Sequence, residues 1–310
     1  MRCPTLSELP SPSLAKSGWP WTEETPQLPE TMVDGFAWPR VSIVTPSYNQ
    51  GKFIGETIRS VLLQGYPNLE YLVIDGGSAD QTVQIIKKYE PWLTYWVSEP
   101  DRGQSHAINK GFKLATGEVA AWLNSDDQYL PGTLKTIAEH AHIYPEAGAW
   151  AGGGRSINSR NRKLIWERLP PGLAFSQILG WNKYYLPQPS CFLNRRVLKD
   201  DIYLNESYHL QMDFDLWLRI SQRFSMIPIE QILSINLHHS KAKTVSLKLM
   251  NRAMAERWLI LGKYGSHGSI IKEIERFLSA DFVVVLKNKL FTLYERYKKK
   301  KLVHKIGDDH

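Results

Sequence analysis

An alternation of short apolar runs with amphipathic stretches, beginning at Val41, constrains this chain more than any other feature. After the first run, Ile54, Ile58 and Val61 recur at helical spacing. The apolar runs cover residues 41–45, 71–74, 94–97 and 119–123, and stretches with helical spacing separate them. Strand-sized and helix-sized segments in alternation are typical of a parallel sheet with helices on both faces. We therefore predict an α/β fold with a mostly parallel sheet.

The pattern divides the chain into three parts, covering residues 1–40, 41–240 and 241–310. The first part contains prolines and tryptophans without strand or helix period, so we interpret it as an irregular leader. It is either a disordered extension or an arm whose tryptophans pack on the domain. Disordered segments are poor in aromatic residues, which favours the arm. The tryptophans are Trp19, Trp21 and Trp38.

The net charge of +7 is concentrated near the C-terminus. Residues 287–305 contain eight Lys or Arg residues and one Glu, so the rest of the chain sums to zero. A nucleic-acid-binding protein would spread its basic residues over a groove or recognition helix, and we therefore expect no nucleic-acid partner. Residues 281–305 are either a solvated basic helix end or an amphipathic segment that docks on an anionic membrane surface.

Cysteine usage and the N-terminus both predict a cytoplasmic protein. The two cysteines, Cys3 and Cys191, are too few for a disulfide framework, and they lack the spacing of metal ligands. The N-terminus lacks the charged start and apolar run of a signal peptide. The aliphatic run at 283–286 is far shorter than the ~20 residues that span a bilayer. If residues 281–305 bind lipid, we expect the protein on the inner face of the membrane.

Polar residues follow each of the four predicted strands. They form the segments Pro46–Asn49, Asp75–Asp80, Glu99–Gln104 and Asn124–Gln128. In sheets of this kind, ligands bind outside the carboxyl ends of the strands. One Asp-Gly-Gly turn alone is ordinary turn chemistry, but four polar strand ends at one edge indicate a nucleotide-binding site.

Within the last of these segments, Asn124-Ser125-Asp126-Asp127 offers oxygen ligands for a metal ion. A hard divalent cation such as Mg²⁺ or Mn²⁺ prefers carboxylate oxygens and can neutralise a diphosphate leaving group. We predict Asp126 as the metal ligand. From these four residues alone, a helix cap before Pro131 is the alternative.

Two carboxylates flank Phe214 where an apolar helix is predicted over 214–224. Asp213 could act as a general base that takes the proton of an acceptor hydroxyl. Alternatively, Asp213 and Asp215 are first-turn acids that complement the helix dipole, a description that suits Asp215. Further along, His238 and its neighbour His239 are either structural or ligands of a metal or phosphate.

Five stretches together resemble the family-2 glycosyltransferases, which are inverting enzymes of the GT-A fold. Their order and spacing match over about residues 41–240. The stretches are Val41–Asn49, Asp75–Thr82, Asp101–Gly111, Leu123–Asp127 and Met212–Trp217. The resemblance implies a GT-A fold with a nucleotide-sugar-binding half at 41–130, an acceptor half at 131–240 and a helical C-terminal extension at 241–310.

The resemblance also implies roles for individual residues. Asp213 would be the catalytic base, Asp126 would reach the metal, and His238 lies where the family often directs a histidine toward metal or diphosphate. The family's metal motif commonly begins with Asp, whereas Asn124 carries no charge but can hydrogen-bond a ribose or water. The residues predicted to bind substrate are Pro46, Tyr48, Asn49, Asp75, Ser78, Asp101, Gly103, Asn109, Asn124 and Asp127.

We therefore predict transfer of a sugar, with inversion, from a nucleotide-diphosphate sugar to a hydroxyl acceptor. A UDP-sugar is the favoured donor, a saccharide or lipid-linked saccharide is the expected acceptor, and Mg²⁺ or Mn²⁺ is the expected cofactor. Such a reaction serves polysaccharide or glycoconjugate synthesis.

Alternatives from other functional classes are a catalytically silent nucleotide-sugar-binding or scaffold protein and a nucleotidyltransferase. The presence of Asp213 argues against the silent protein. The segment Thr45–Gly51 lacks the Gly-rich, Lys- or Arg-bearing loop usual in nucleotidyltransferases. A dinucleotide-dependent dehydrogenase is disfavoured because no Gly-x-Gly-x-x-Gly follows a strand.

Overall fold

The apolar runs form strands that helices cover on both faces. In the computed structural model, β1 (Val41–Ser47) and β2 (Leu69–Asp75) are buried along their whole length, as expected of central parallel strands. β4 (Val119–Trp122) is equally buried, whereas β3 (Tyr95–Ser98) is a more exposed edge strand. The order β3-β2-β1-β4 is parallel throughout. The carboxyl ends of these strands therefore share one edge.

The structure describes residues 1–12, 16–180, 186–239 and 247–265. Residues 281–305, for which the sequence leaves membrane docking open, lie outside this range. Within it, no helix has the length and apolar character needed to cross a membrane. Met1–Arg257 form one compact unit and Trp258–His310 a second, whose described part is the end of helix α8 (Leu247–Lys263).

The other half of the sheet is mixed. β8 (Cys191–Asn194) pairs antiparallel with β4 and with β6 (Ala149–Asn158), while β9 (Met226–His238) runs parallel to β6. The short β5 (Asp127–Tyr129) pairs antiparallel with the end of β9, and Asp127 lies opposite Asn236. β7 (Leu164–Arg168) forms a hairpin with β6, which gives nine strands among the described residues. β9 thereby brings its C-terminal end alongside the segment that follows β4.

The helices that connect the first four strands lie where the apolar spacing predicts them. α1 (Ile54–Leu62), α2 (Thr82–Tyr89) and α3 (Gln104–Leu114) connect the first four strands. The remaining helices are α4 (Thr133–Ile143), α5 (Phe175–Leu179), α6 (Arg195–Leu198) and α7 (Met212–Arg223). The sequence does not predict α5 and α6. The predicted α/β architecture is confirmed.

The leader is held by Arg59, a fully buried cation on α1. Its guanidinium donates hydrogen bonds to the backbone carbonyl oxygens of Pro20 at 2.8 Å, Pro10 at 2.9 Å and Trp21 at 3.1 Å. The guanidinium carbon also lies 5.2 Å from the ring centroid of Trp21. A buried charge must be compensated by hydrogen bonds or charges, and here carbonyl dipoles of the leader supply part of that compensation.

The other two leader tryptophans also contact the rest of the unit. Trp19 donates its indole N–H to the carbonyl oxygen of Tyr129 at 2.8 Å. Trp38 is buried and packs edge-on against Tyr66, with ring centroids 5.7 Å apart. Apart from one isolated bridge between Thr31 and Ala37, the described leader residues 1–12 and 16–40 form no strand or helix. The leader is therefore a packed arm of irregular backbone.

Replacing Arg59 with Met should lower the free energy of unfolding by about 3 kcal/mol. Three carbonyl oxygens would lose their hydrogen-bond donor, at a cost of roughly 1–3 kcal/mol for each that stays buried. Water that enters the site would offset part of this cost. Urea unfolding followed by tryptophan fluorescence measures the loss. The exposed Arg160→Met is the matched control, and we expect a change below about 0.5 kcal/mol for it. Equal stability of Arg59→Met and wild type would show that this contact does not hold the leader.

Candidate active site

The loop after β2 is organised by the fully buried carboxylate of Asp75. This carboxylate accepts hydrogen bonds from the backbone N–H groups of Gly77 at 3.2 Å and Ser78 at 2.8 Å. It also accepts from the hydroxyls of Ser78 at 2.5 Å and of Ser98, the last residue of β3, at 2.6 Å. Asp75, which the sequence predicts to bind substrate, is thus engaged by the protein and joins the ends of two strands. In the structure Asp75 shapes the loop after β2, and its contact with substrate stays a prediction.

The loop after β1 is tied to the same segment through Asn49. Its backbone is left-handed, with φ at 53°, a conformation that Asn tolerates better than most residues. The Asn49 N–H donates to the Ser78 hydroxyl at 2.7 Å, and its side-chain oxygen accepts from the N–H of Ala79 at 2.9 Å. This leaves Tyr48 with 63% of its surface exposed, while Pro46 is buried within β1. Tyr48 therefore presents an aromatic ring beside the loop.

The loop after β3 closes on the loop after β2 through Asp101. A Cβ atom on Gly76 would come within 2.6 Å of the Asp101 carboxylate, so the glycine lets this side chain lie against the loop after β2. Asp101 also accepts a hydrogen bond from the N–H of Gly103 at 2.7 Å. Gly103 has φ at 118°, which other residues rarely adopt. The half-buried Asp101 carboxylate is thus held at the sheet edge.

Asn109 does not face this edge, although the sequence predicts that it binds substrate. Its amide nitrogen donates to the carbonyl oxygen of Leu204 at 2.9 Å and to the Glu206 carboxylate at 3.2 Å. Its amide oxygen accepts from the N–H of Leu204 at 2.9 Å. Because these partners satisfy both amide N–H groups of a buried side chain, Asn109 anchors α3 to the segment before α7, and its contact with substrate stays a prediction.

The buried Asp127 lies behind the predicted metal ligand. It accepts hydrogen bonds from the amide nitrogens of Asn124 at 3.1 Å and Asn236 at 3.2 Å. Burial raises the pKa of Asp127 well above its usual range, and the negative charge of Asp126 raises it further. The Asp127 carboxylate thus holds the amides of Asn124 and Asn236 in place, and its contact with substrate stays a prediction.

Asn124 is the centre of an amide network. Its side-chain oxygen accepts from the Gln104 amide at 2.6 Å, and its nitrogen also donates to the Gln188 oxygen at 3.1 Å. Gln188 in turn donates to the carbonyl oxygen of Trp122 at 2.9 Å. Sequence reasoning missed Gln104, Gln188 and Asn236 as functional residues. Only Gln104 carried a usable signal, because it follows a strand end.

Asp126 meets a histidine, but it is His239 and not His238. The Nε2 atom of His239 lies 2.9 Å from the Asp126 carboxylate, and its imidazole stacks on Phe53 with ring centroids 4.5 Å apart. His239 is buried and Asp126 is partly exposed. Successive side chains alternate between the faces of an extended strand, so Leu237 is buried and His238 is exposed. Contrary to the prediction for His238, His239 is therefore the histidine that meets Asp126.

The pair Asp126–His239 fits a cation that is shared with a diphosphate. Within the described ranges, no group of three or more His, Cys, Asp or Glu residues could hold a metal ion. A closed protein cage is not needed, because Mg²⁺ at phosphate sites is commonly bound by one or two carboxylates together with substrate phosphates and water.

Asp213 is half-buried in the first turn of α7. Burial raises the pKa of Asp213, while a hydrogen bond of 2.8 Å from the N–H of Phe214 and the positive charge of Arg257 act in the opposite direction. Burial, together with the charge of Asp213, raises the pKa of the Cys191 thiol. A carboxylate with a raised pKa is a stronger proton acceptor than an ordinary one.

The neighbouring Asp215 has a structural role. Its fully buried carboxylate pairs with Arg219 at 3.3 Å, one helical turn later. Arg219 also donates to the backbone carbonyl oxygens of Asp201 at 3.0 Å and Tyr203 at 2.7 Å. Asp215 therefore fixes α7 to the preceding segment, as its first-turn position suggests.

The first turn of α3 joins the Asn124 network to the start of α7. Gln104 contacts Asn124, and the adjacent Ser105 hydroxyl lies 2.8 Å from the sulfur of Met212. Below them, Trp122 and Trp217 stack with ring centroids 5.7 Å apart. These contacts link the segment that contains Asp126 to the first turn of α7, where Asp213 lies.

Relatives of this chain include several bacterial proteins. An uncharacterized protein of Mycobacterium tuberculosis is 27% identical over 242 residues, which are 73% of this chain and 75% of that protein. An uncharacterized glycosyltransferase of the same species is 40% identical over 92 residues, 29% of this chain and 35% of its own length. One of Rickettsia bellii is 25% identical over 228 residues, 71% of this chain and 33% of its own. The matches thus span about a third of these two glycosyltransferases.

Solved structures establish the GT-A fold that the sequence predicts. Residues 1–349 of Staphylococcus aureus TarS, in complex with UDP-GlcNAc, superpose with a TM-score of 0.59 at 20% identity, covering 78% of this chain and 73% of that TarS fragment. A mannosyltransferase of Pyrobaculum calidifontis, in complex with GDP-Man and Mn²⁺, has a TM-score of 0.55 at 17% identity, covering 92% and 86%. The family model for glycosyl transferase family 2 matches residues 42–202, just over half of the chain. The chain therefore belongs to the family-2 glycosyltransferases.

Proposed function

We propose that this protein transfers a sugar from a nucleotide-diphosphate sugar to an acceptor hydroxyl, with inversion at the anomeric carbon. The observation that carries this proposal is that the candidate site offers both a pair of side chains suited to a cation and a carboxylate suited to act as a base. Asp126 and His239 form a hydrogen-bonded pair in which the partly exposed Asp126 carboxylate is suited to a cation. Asp213 is a half-buried carboxylate with a raised pKa. Family membership supports sugar transfer, while the base and the cation pair support a direct displacement.

The donor is proposed to lie along the carboxyl edge of β1, β2 and β4. The exposed Tyr48 ring offers a stacking surface for a nucleotide base. We favour a UDP-sugar, since TarS was solved with UDP-GlcNAc and with UDP, whereas the mannosyltransferase neighbour was solved with GDP-Man. For the acceptor we propose a saccharide or lipid-linked saccharide, which would place the reaction in polysaccharide or glycoconjugate synthesis.

In the proposed mechanism, the hydroxyl oxygen of the acceptor attacks the anomeric carbon while Asp213 accepts the proton of that hydroxyl. The bond between that carbon and the diphosphate oxygen breaks on the opposite side, so a single displacement inverts the configuration. Asp126 and His239 would hold Mg²⁺ or Mn²⁺, and the bound cation would neutralise charge on the departing diphosphate. His239 orients the Asp126 carboxylate by their hydrogen bond, and Asn124 and Asp127 form the amide network in the same segment.

A screen of nucleotide sugars, with and without Mn²⁺, tests the reaction class. We expect release of a nucleoside diphosphate from a UDP-sugar, and loss of that activity in EDTA that excess Mn²⁺ restores. Binding without turnover for every donor would favour the silent scaffold. Release of pyrophosphate would identify a nucleotidyltransferase.

Replacing Asp213 with Asn should lower kcat by ~10²-fold or more, because the amide cannot take a proton. The Kd of the donor should change less than about twofold, since the base acts on the acceptor.

The pH dependence of the reaction gives a second test of the same base. The base works deprotonated, so wild-type kcat/KM should rise with pH through the raised pKa of Asp213, and Asp213→Asn should lose that rise. Asp200→Asn, at an exposed position, is the control. Normal turnover in Asp213→Asn rules out this base.

Two adjacent histidines provide a matched test of the metal site. In His239→Ala, the Mn²⁺ concentration for half-maximal activity should rise about 10-fold or more, because the cation loses a ligand or the group that orients Asp126. In His238→Ala, it should stay within about twofold, because this side chain is exposed and directed away. Metal titrations of both variants at saturating donor measure the difference. The reverse ranking would restore His238 as the ligand.

A further inference from the structure

Helix α8 supplies a buried carboxylate to the turn that precedes α7. Glu256 is only 6% exposed. Its side chain accepts hydrogen bonds from the backbone N–H groups of His209 at 3.1 Å, Leu210 at 2.8 Å and Gln211 at 3.1 Å. Gln211 is the residue just before α7, and its own side chain makes no capping hydrogen bond. The backbone at the start of α7 is therefore held from another helix.

The carboxylate of Glu256 is charged when it holds this turn. Burial acts to raise the pKa of Glu256, but hydrogen bonds from the Leu210 and His209 backbone and from Arg252 outweigh burial and lower the pKa overall. Arg252 donates to Glu256 at 2.9 Å from one helical turn earlier. Hydrogen bonds to an ionised acceptor are about twice as strong as neutral ones. The hydrogen bonds that converge on the Glu256 carboxylate therefore attach residues 209–211 rigidly to α8.

The same part of α8 also contacts the residue after Asp213. Arg257 lies over the Phe214 ring, 4.2 Å from its centroid, and its positive charge acts on Asp213. Consecutive residues of α8 thus hold the backbone before Asp213 and the side chain after it. The held turn also faces the donor side of the site, since a Cβ on Gly103 would lie 3.8 Å from the His209 ring.

We propose that Glu256 is a positioning residue for the catalytic base: by fixing residues 209–211 it sets the direction in which the Asp213 carboxylate points. This inference rests on the proposed function. It makes the described start of α8 a part of the catalytic machinery, although the sequence assigns 241–310 to an appended extension. Both α7 and α8 lie beyond residues 42–202, which the family model matches.

The test compares Glu256→Gln, which keeps the side-chain shape, with Glu256→Ala. Because a displacement of about 1 Å can reduce catalysis ~10²-fold, we expect kcat per donor-binding site to fall ~10-fold in the first variant and ~100-fold in the second. The donor KM should stay within about twofold. Hydrogen exchange at the amides of 209–211 should become faster. The donor-binding sites are counted by titration with a nucleoside diphosphate and Mn²⁺.

The matched control is Glu139→Gln, which also removes a carboxylate from a helical pair, with Lys135 at 3.8 Å. It should keep the wild-type kcat per site. A role in stability alone would reduce the number of donor-binding sites and leave kcat per remaining site unchanged, and that result overturns the inference. If the wild type transfers no sugar, or Asp213→Asn is fully active, the proposed function itself fails. An active wild type, an impaired Asp213→Asn and an unimpaired Glu256→Ala refute the positioning role alone.

Discussion

The parallel pairing of β1 with β2 on one side and with β4 on the other is the constraint on which the site depends. Central strands that are buried on both faces must pair their backbone groups within the sheet. Most side chains along these strands are apolar, and Ser47 and Asp75 lie at the carboxyl ends of β1 and β2. Because parallel strands finish at one edge, the loops that follow them meet there. Asp75 then joins these loops by accepting hydrogen bonds from the ends of β2 and β3.

The carboxylates of the site differ in burial, and this difference separates their roles. Asp75, Asp127 and Glu256 are buried and are occupied by protein donors, so they hold backbone and amide groups in place. Asp126 and Asp213 are only partly buried, so they remain accessible to a cation or an acceptor. Burial requires compensation by hydrogen bonds, and a compensated carboxylate has little capacity left for a ligand. The side-chain amide of Asn109 is likewise occupied by hydrogen bonds to protein groups and has little capacity left for a ligand.

The site is also assembled from segments that are far apart in the sequence. The Asn124 network draws on α3, on the segment before β8 and on β9. Asp213 depends on α8 through a turn, and the leader is held by a cation of α1. A domain definition based on the matched residues alone would leave out α7, the end of β9 and α8. The proposed chemistry needs all three.

The sequence by itself determined the α/β architecture, the mostly parallel sheet and the edge where polar residues collect, because periodicity and strand ends are local features. It also singled out Asp126 and Asp213 as candidates. Only the tertiary structure decided that His239 rather than His238 meets Asp126, since this depends on where β9 ends against β5. It likewise assigned Asn109 to Leu204 and Glu256 to the turn before α7. Contacts between distant segments leave no periodic trace in the chain, and the burial that gives these side chains their roles exists only after folding.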